Sequence, residues 1–354
     1  MTTEPDAALT EAVVSVGRAM GLDAVGIASA APFESARVAL EERKAAGLHG
    51  GMQFTYRNPA RSTDPGRAVD GARAIVVGTR SYRRADPEPL GVAGGGDGVV
   101  ARYSWEDHYA PLRQALAGVA REIERRGWAA KVLVDDNALV DREAAYRAGL
   151  GWYGKNANIL IPGRGSWFVL GSVVTDAPLV TAVHPVPDGC GTCSRCMPAC
   201  PTGALVEPGV LDARRCLAWL LEAAGPFPEE HRVALGGRIY GCDECQEVCP
   251  PNAVALRRSP PPKAGPAAEA HIDLLWLLEA DDATLLERLG RWYIPGRDPR
   301  YIRRNALVAL GNVGDGKDAR VAATLGRYLR SDDDLLREHA AWAARRLGRA
   351  DLVG

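Results

Sequence analysis

Long apolar runs and a basic leader are both missing from this sequence. No stretch approaches the about 18 consecutive apolar residues of a membrane-spanning helix. The first residues, MTTEPDAALTEAVVSVGRAMG, have no basic start and no twin arginine, and their pattern is typical of an amphipathic helix rather than an export signal. We therefore expect a cytoplasmic protein.

An excess of one charge is lacking as well. The 43 basic and 44 acidic residues leave a formal net charge of −1, so the global charge identifies no partner. A length of 354 residues leaves room for two or three domains with a sizeable core.

Cysteine is absent from most of the chain. All eight cysteines fall between residues 190 and 249, about one sixth of the length, which does not fit cysteines scattered through a core. In a reducing compartment, clustered thiols are more often ligands than disulfides. The eight are Cys190, Cys193, Cys196, Cys200, Cys216, Cys242, Cys245 and Cys249.

The spacing of these cysteines predicts iron–sulfur clusters. CGTCSRCMPACP (190–201) has the ferredoxin spacing, in which the fourth cysteine binds the other cluster, and CDECQEVCP (242–250) follows with Cys216 upstream. Zinc held by paired C-x2-C groups is the alternative. A zinc site, however, does not require a third cysteine after two residues and a fourth after three, nor the proline that follows both runs. We predict two [4Fe–4S] clusters, one held by Cys190, Cys193, Cys196 and Cys249, the other by Cys200, Cys216, Cys242 and Cys245.

The pattern along the chain predicts an α/β part followed by smaller units. Apolar runs at 74–78, 131–134 and 167–174 are typical of buried strands, and residues 109–127 have helical spacing with a glycine past the end. The glycine-rich stretch 91–98 lacks the lysine of a phosphate-binding loop, so we expect a flexible surface connection there. We predict an α/β domain over 1–182, a cysteine module over 183–258, a proline-rich linker over 259–270 and a helical domain over 271–354.

Two cofactor motifs are also missing. The chain contains no G-x-G-x-x-G for a nicotinamide or flavin and no D-x-H-x-x-G to place a histidine on cobalt. The residues alone therefore predict an iron–sulfur oxidoreductase with a helical tail and leave its substrate open.

Several long stretches resemble the epoxyqueuosine reductase family. They are VDDNALVDREAAYRAGLGWYGKN (134–156), GSWFVLGSVVTD (165–176), GCDECQEVCPPN (241–252) and RRNALVALGNVGD (303–315), with looser matches at 51–65 and 101–109. The resemblance implies reduction of epoxyqueuosine to queuosine at the wobble position of tRNA, the last step of queuosine biosynthesis. It also implies two [4Fe–4S] clusters that pass electrons to base-off cobalamin without a protein histidine ligand. The fold implied is a degenerate nitroreductase-like domain, a ferredoxin-like module and a HEAT-like helical domain, in a monomer served by a low-potential electron donor.

The same resemblance implies roles for individual residues. Asp135 matches the residue that donates a proton to the epoxide oxygen in the family. This role suits a carboxylic acid, because a partly desolvated one keeps its proton near neutral pH. Asp136, which points the other way on an extended backbone, and Asp141, for which we expect a salt bridge to Arg142, are competitors. The cobalamin contacts implied are Arg57, Asp135, Tyr153, Gly154, Lys155, Asn156, Ile159 and Leu170.

The local charge of the C-terminal tail is the feature that favours RNA binding. From Glu287 to Arg330 there are ten Lys and Arg against four Asp and Glu, an excess suited to phosphate neutralisation. Trp292 and Tyr293 could stack on bases, although we expect both to be buried. The arginine candidates are Arg297, Arg300, Arg303, Arg304, Arg320, Arg327 and Arg330.

Three other functions remain open at this point. A reductive dehalogenase shares cobalamin and two clusters but usually has a twin-arginine signal and no basic tail. An electron carrier would bind no cobalamin, and a tRNA-binding scaffold would have structural clusters that are redox-silent. The chain departs from the family at Asp107-His108-Tyr109, at Asp136 and near Leu221, where a threonine is usual.

Overall fold

A computed structural model of the chain describes residues 4–354, and it begins with an α/β part. The helices of this part are α1 (Ala7–Ala19), α2 (Glu34–Ala45), α3 (Pro59–Ser62), α4 (Tyr109–Arg125) and α5 (Asp141–Arg147). Its strands are β1 (Ala24–Ser29), β2 (Ala74–Ser81), β3 (Asp97–Val100), β4 (Ala130–Leu133), β5 (Trp152–Tyr153), β6 (Ile159–Leu160) and β7 (Phe168–Thr175).

Four of these strands form an antiparallel sheet in the order β1-β2-β7-β4. Alternate residues of β2 point to opposite faces, so that Val76 packs with α1 and α4 while Ile75 and Val77 pack with α5. The three predicted strands and the predicted helix over 109–127 are confirmed. The sheet with helices on both faces is the platform on which the site residues lie.

The glycine-rich stretch 91–98 differs from the expectation of a flexible surface connection, which was wrong. A Cβ atom added at Gly94 would lie 2.0 Å from the Asp318 side chain, and one at Gly95 would lie 2.5 Å from Leu275. Glycine is needed here because the backbone packs directly against the helical tail. These contacts cannot be predicted from a local sequence pattern, because the partner residues lie 180 or more positions away in the chain.

The cysteine region consists of short elements, three of which begin at a cysteine or directly after one. Its helices are α6 (Cys196–Ala199), α7 (Leu217–Glu222), α8 (Glu229–Leu235), α9 (Glu244–Glu247) and α10 (Pro250–Arg258). Its strands are β8 (Leu205–Glu207), β9 (Val210–Leu211) and β10 (Arg238–Tyr240). Cys216 and Cys249 are the N-cap residues of α7 and α10, and Pro250 occupies the first position of α10, where a missing N–H costs nothing.

The remaining elements are one strand and five helices: β11 (His271–Asp273), α11 (Leu274–Glu279), α12 (Asp282–Leu289), α13 (Arg300–Val313), α14 (Ala319–Leu329) and α15 (Asp334–Arg346). The predicted C-terminal helices are confirmed. Strand β3 of the α/β part pairs with both β10 and β11 to form a second sheet. Val100 and Trp105 accordingly lie in the same apolar core as the tail helices. No helix among residues 4–354 combines the length and apolar character of a membrane span.

Arg304 of α13 joins the tail to the cysteine region. It is therefore not available to RNA, and the prediction that it contacts phosphate was wrong. Its side chain is 0% exposed and donates to the carbonyls of Leu220, Leu221, Ala223 and Gly225 and to Asn305 Oδ1. Burial lowers the pKa of its guanidinium to about 10. The positive charge lies at the C-terminal end of α7, where the helix dipole favours a cation.

Replacing Arg304 by methionine is expected to lower the free energy of unfolding by about 3 kcal/mol or more, because several buried carbonyls lose their donor. Urea unfolding of both proteins measures the change. Arg320→Met, at an exposed arginine of α14, is the matched control and is expected to leave stability within about 0.5 kcal/mol. Unchanged stability with weakened RNA binding would return Arg304 to the list of RNA contacts.

Candidate active site

The eight thiols lie in two separate groups. Cys190, Cys193, Cys196 and Cys249 line one cavity together with Lys155 and Asn156. Burial raises the pKa of the Cys249 thiol to about 11, and the nearby charges of the other three cysteines add to the rise. The fourth member therefore comes from the distant second run, which is the exchange that the spacing predicted.

The second group comprises Cys200, Cys216, Cys242 and Cys245. Burial, followed by the charges of Cys242, Cys216 and Cys200, raises the pKa of the Cys245 thiol well above its usual range. The backbone N–H of Ala204 donates to Cys200 Sγ over 3.2 Å. Among residues 4–354, no three Cys, His, Asp or Glu side chains are grouped so as to hold a single metal ion.

The segment 151–156 connects the α/β part to both groups of thiols. Lys155 Nζ donates to the Gly191 carbonyl over 2.7 Å, beside the first group. Asn156, only 6% exposed, donates through Nδ2 to the Cys245 carbonyl over 3.2 Å, beside the second. These side chains fix the cysteine loops against the sheet. Their predicted role as cobalamin contacts stays a prediction.

The other predicted cobalamin contacts differ in how accessible they are. Tyr153 is 38% exposed and its hydroxyl donates to Glu143 Oε2 over 3.1 Å, whereas Ile159 is 6% exposed and packs in the core with Leu170. A Cβ at Gly154 would lie 2.6 Å from Leu160, so glycine is required there for packing. Arg57 is exposed and makes no ion pair within residues 4–354.

Asp135 lies in the loop after β4 with a left-handed backbone, at a φ of 52°. The loop is therefore not extended, and the expectation that Asp135 and Asp136 alternate on an extended strand was wrong. They still have different environments, because Asp136 Oδ1 accepts the Ala138 N–H and closes a turn. Part of the Asp135 side chain is open to solvent, yet desolvation by the surrounding protein raises the pKa of its carboxyl. The charge of Arg113 opposes this rise and the charge of Asp136 adds to it.

Asp141, the first residue of α5, is not in the predicted salt bridge with Arg142; among residues 4–354 it has no ion-pair partner. Burial and the charge of Asp135 raise the pKa of its carboxyl well above the usual range. The hydroxyl of Ser62 donates to the Asn137 carbonyl over 2.6 Å, which ties α3, and Arg57 just before it, to the Asp135 loop. Acidic groups and a free guanidinium therefore share one region of the surface.

Three tyrosines and a glutamate that sequence reasoning missed surround this region. Tyr103 donates to Glu222 Oε1 over 2.9 Å. Burial raises the pKa of that carboxyl to about 7, against the lowering effect of Tyr103 and of the nearby Tyr240 hydroxyl. Burial raises the pKa of Tyr109 well above its usual range, and the charges of Asp135, Asp141 and Glu222 add to the rise. Glu222 is six positions after Cys216, but no spacing motif announces it, because its partners come from three other elements.

The tail arginines fall into two classes. Arg320 and Arg330 are exposed and make no side-chain hydrogen bond or ion pair within residues 4–354. Trp292 is buried, as expected, and its ring is stacked on Tyr240. Tyr293 is 59% exposed, so the expectation that it is buried was wrong. Four arginines are held by protein acceptors, namely Arg297 by Gly290, Arg300 by Asp333, Arg303 by Asp282 and Arg327 by Leu278.

Comparison with known proteins extends these observations. A family model described as a 4Fe-4S double cluster binding domain matches residues 189–252, which confirms the double-cluster prediction and sets the zinc alternative aside. The chain is 34% identical over 352 residues to an epoxyqueuosine reductase of Bacillus anthracis, covering 98% of this chain and 90% of the relative.

Solved structures agree over nearly the full length. The crystal structure of an epoxyqueuosine reductase with an epoxyqueuosine-modified tRNA-Tyr stem loop has a TM-score of 0.85 and 32% identity, covering 96% of this chain and 90% of that one. The Bacillus subtilis enzyme, solved with its catalytic aspartate loop swung out of the active site, has a TM-score of 0.85 and 31% identity, covering 97% and 92%. An electron carrier or scaffold of another family is thereby set aside.

Proposed function

Since the chain belongs to the epoxyqueuosine reductase family of oxidoreductases, we propose that it reduces epoxyqueuosine in the anticodon of tRNA to queuosine and water. The full-length likeness, at 34% identity over 98% of the chain, carries this proposal. The arrangement of acidic groups around Asp135 supports it, because an epoxide oxygen must be protonated as it leaves carbon.

The eight cysteines fit two [4Fe–4S] clusters. Each group supplies the four soft sulfur ligands that one cluster takes, and the exchanged fourth ligands of the two runs keep the two sites close together. The first cluster would be held by Cys190, Cys193, Cys196 and Cys249, and the second by Cys200, Cys216, Cys242 and Cys245.

The region around Asp135 fits cobalamin. The unpaired Arg57 guanidinium suits the phosphate or amide oxygens of the cofactor, and the exposed face of Tyr153 suits its large planar ring. When bound, the clusters and cobalamin supply electrons of low potential for the reduction.

The chain's own contribution is position and a proton. Asp135 would hold a proton at the protein surface, where the raised pKa of its carboxyl keeps more of it protonated than for an ordinary aspartate. The relative of 31% identity has a catalytic aspartate on a loop that swings out of its active site. The left-handed backbone at Asp135 supports an equivalent role for this loop.

The activity is tested anaerobically with reconstituted clusters, added cobalamin, a strong reductant and tRNA carrying epoxyqueuosine. Mass spectrometry of the digested nucleosides is expected to show loss of one oxygen, only when cobalamin is present. If cobalamin binds and the nucleoside is unchanged, the substrate is a different electrophile.

RNA binding is expected to depend on Arg320 and Arg330, whose charges have no protein partner. Replacing both by alanine is expected to reduce the salt dependence of tRNA affinity by about one phosphate contact each. Filter binding over a range of salt concentrations measures the slope. Arg121→Ala, at an exposed arginine of α4, should leave the slope unchanged; an equal effect there would mean that the charge acts only globally.

A further inference from the structure

This inference rests on the proposed function and concerns how the RNA is held. Proteins recognise unpaired bases of RNA loops largely by stacking them on aromatic side chains. Tyr293, in the segment between α12 and α13, is 59% exposed, more than Phe54 at 42% or Tyr153 at 38%. Exposure of a single apolar side chain is common, so the argument depends on how Tyr293 is supported and what surrounds it.

The backbone that carries Tyr293 is fixed on both sides. Its N–H donates to the Tyr240 hydroxyl over 2.8 Å. The flanking side chains, Trp292 and Ile294, are buried in the apolar core of the tail, and Trp292 is stacked on Tyr240 with ring centroids 4.5 Å apart. The Tyr293 ring therefore projects from a rigid support, so little conformational freedom is lost when a flat ligand binds to it.

The turn that follows Tyr293 is closed by Arg297. The Arg297 N–H donates to the Ile294 carbonyl over 2.9 Å, and its guanidinium donates to the Gly290 carbonyl over 3.0 Å. Both acceptors are neutral, and the side chain is exposed. The exposed ring and an exposed guanidinium thus belong to one compact loop.

The charge of Arg297 is the one left uncompensated in this segment. Residues 288–303 contain five arginines and one acidic residue, Asp298. Four of the arginines pair with carboxylates elsewhere, namely Arg288 and Arg291 with Glu269, Arg300 with Asp333 and Arg303 with Asp282. Among residues 4–354, Arg297 has no such partner. Its free positive charge beside an aromatic ring suits a phosphate next to a base.

Contacts between aromatic side chains connect Tyr293 to the region of Asp135. The ring of Tyr240, which holds the Tyr293 N–H, lies 6.1 Å from the ring of Tyr103. Tyr103 packs against the apolar cluster that contains Val134, the residue before Asp135. Only two side chains therefore separate the Tyr293 backbone from this cluster, so an RNA loop with one nucleoside at Asp135 has other nucleotides within reach of Tyr293.

We propose that Tyr293 stacks on an unpaired base of the tRNA anticodon loop, beside the nucleoside that is reduced, and that Arg297 contacts a phosphate of the same loop. Stacking on a phenol ring accepts any base, because every base has a π face. Tyr293 would therefore fix the position of the loop without selecting its sequence.

The first test measures RNA affinity of the protein with reconstituted clusters. The probe is the unmodified anticodon stem loop of tRNA-Tyr. Tyr293→Ala should weaken binding about 10-fold, whereas Tyr293→Phe, which keeps the ring, should bind like the unmodified protein. Leu90→Ala, at another apolar side chain that is 55% exposed, is the matched control and should change nothing.

Salt dependence separates the two parts of the proposal. Tyr293→Ala removes no charge, so the slope of affinity against salt concentration should stay the same. Arg297→Gln removes the charge and keeps a donor, so the slope should fall by about one phosphate contact. An unchanged slope in Arg297→Gln would refute the phosphate contact.

A fluorescent base reports the stacking directly. With 2-aminopurine in the loop of the same RNA, binding should quench the fluorescence at one loop position. The quenching should be lost in Tyr293→Ala and kept in Tyr293→Phe. Unchanged affinity and quenching in Tyr293→Ala would overturn the proposal, as would an equal loss in Tyr293→Phe.

Two further outcomes identify other roles for the ring. If Tyr293→Ala weakens binding of a fully paired RNA duplex as much as that of the stem loop, the residue does not recognise an unpaired base. If sedimentation shows self-association that Tyr293→Ala abolishes while RNA affinity is unchanged, the ring contacts a second copy of the chain. Stem-loop binding with the expected pattern but no formation of queuosine would refute the proposed reaction and leave the stacking intact.

Discussion

Asp135→Asn is expected to slow the reduction of epoxyqueuosine about 10²–10⁴-fold, the usual contribution of a positioned acid. Asparagine matches the size of aspartate and tolerates the left-handed backbone at this position, so the loop should keep its shape. What is lost is the proton that the carboxyl donates. Single-turnover conversion, followed by mass spectrometry of the nucleosides, measures the loss.

The matched control is Asp136→Asn. An asparagine there keeps the oxygen that accepts the Ala138 N–H, so activity should remain near that of the unmodified protein. The prediction would be contradicted if the Asp135→Asn variant were active and the Asp141→Asn variant were inactive. It would identify Asp141, whose carboxyl pKa is also raised, as the acid.

Loss of a single cysteine is expected to abolish activity and to remove about half of the iron, because each group of four thiols would hold its own four-iron cluster. Serine variants of Cys196 and Cys245 represent the first and second groups. Iron analysis and electron paramagnetic resonance of the reduced proteins distinguish which cluster remains.

Cys249→Ser is the sharpest of these variants. Cys249 is four residues from Cys245 in the sequence, yet it lines the cavity of Cys190, Cys193 and Cys196. Its spectrum should therefore match that of Cys196→Ser. A match to Cys245→Ser would mean that each run keeps its own cluster and that the exchange of ligands is wrong.

Much of this structure could be predicted from local sequence patterns. The strands and the long helix of the α/β part follow from apolar periodicity. The grouping of the thiols follows from their spacing, because in two-cluster ferredoxins the fourth cysteine of such a run binds the other cluster. Asp135 was found through resemblance alone, because an aspartate after an apolar strand is a common feature.

Features that depend on distant partners could not be predicted in this way. Arg304 lies among other basic residues, as an RNA-binding arginine would. Its burial is evident only from the carbonyls at the end of α7, some 80 residues earlier, to which its side chain donates. The Glu222 carboxyl is likewise held by Tyr103, which lies 119 positions earlier in the chain. Neither residue belongs to a recognisable local motif, so its environment exists only in the folded chain.

The position of β3 has a consequence for synthesis on the ribosome. This strand, Asp97–Val100, lies between β10 and β11 in its sheet, so one edge stays unpaired until Arg238–Tyr240 has been made and the other until His271–Asp273 has been made. Until some 170 further residues have been translated, the strand therefore keeps at least one open edge. Nascent chains stalled before residue 271 should therefore expose this segment to protease, and chains released after the tail has emerged should protect it.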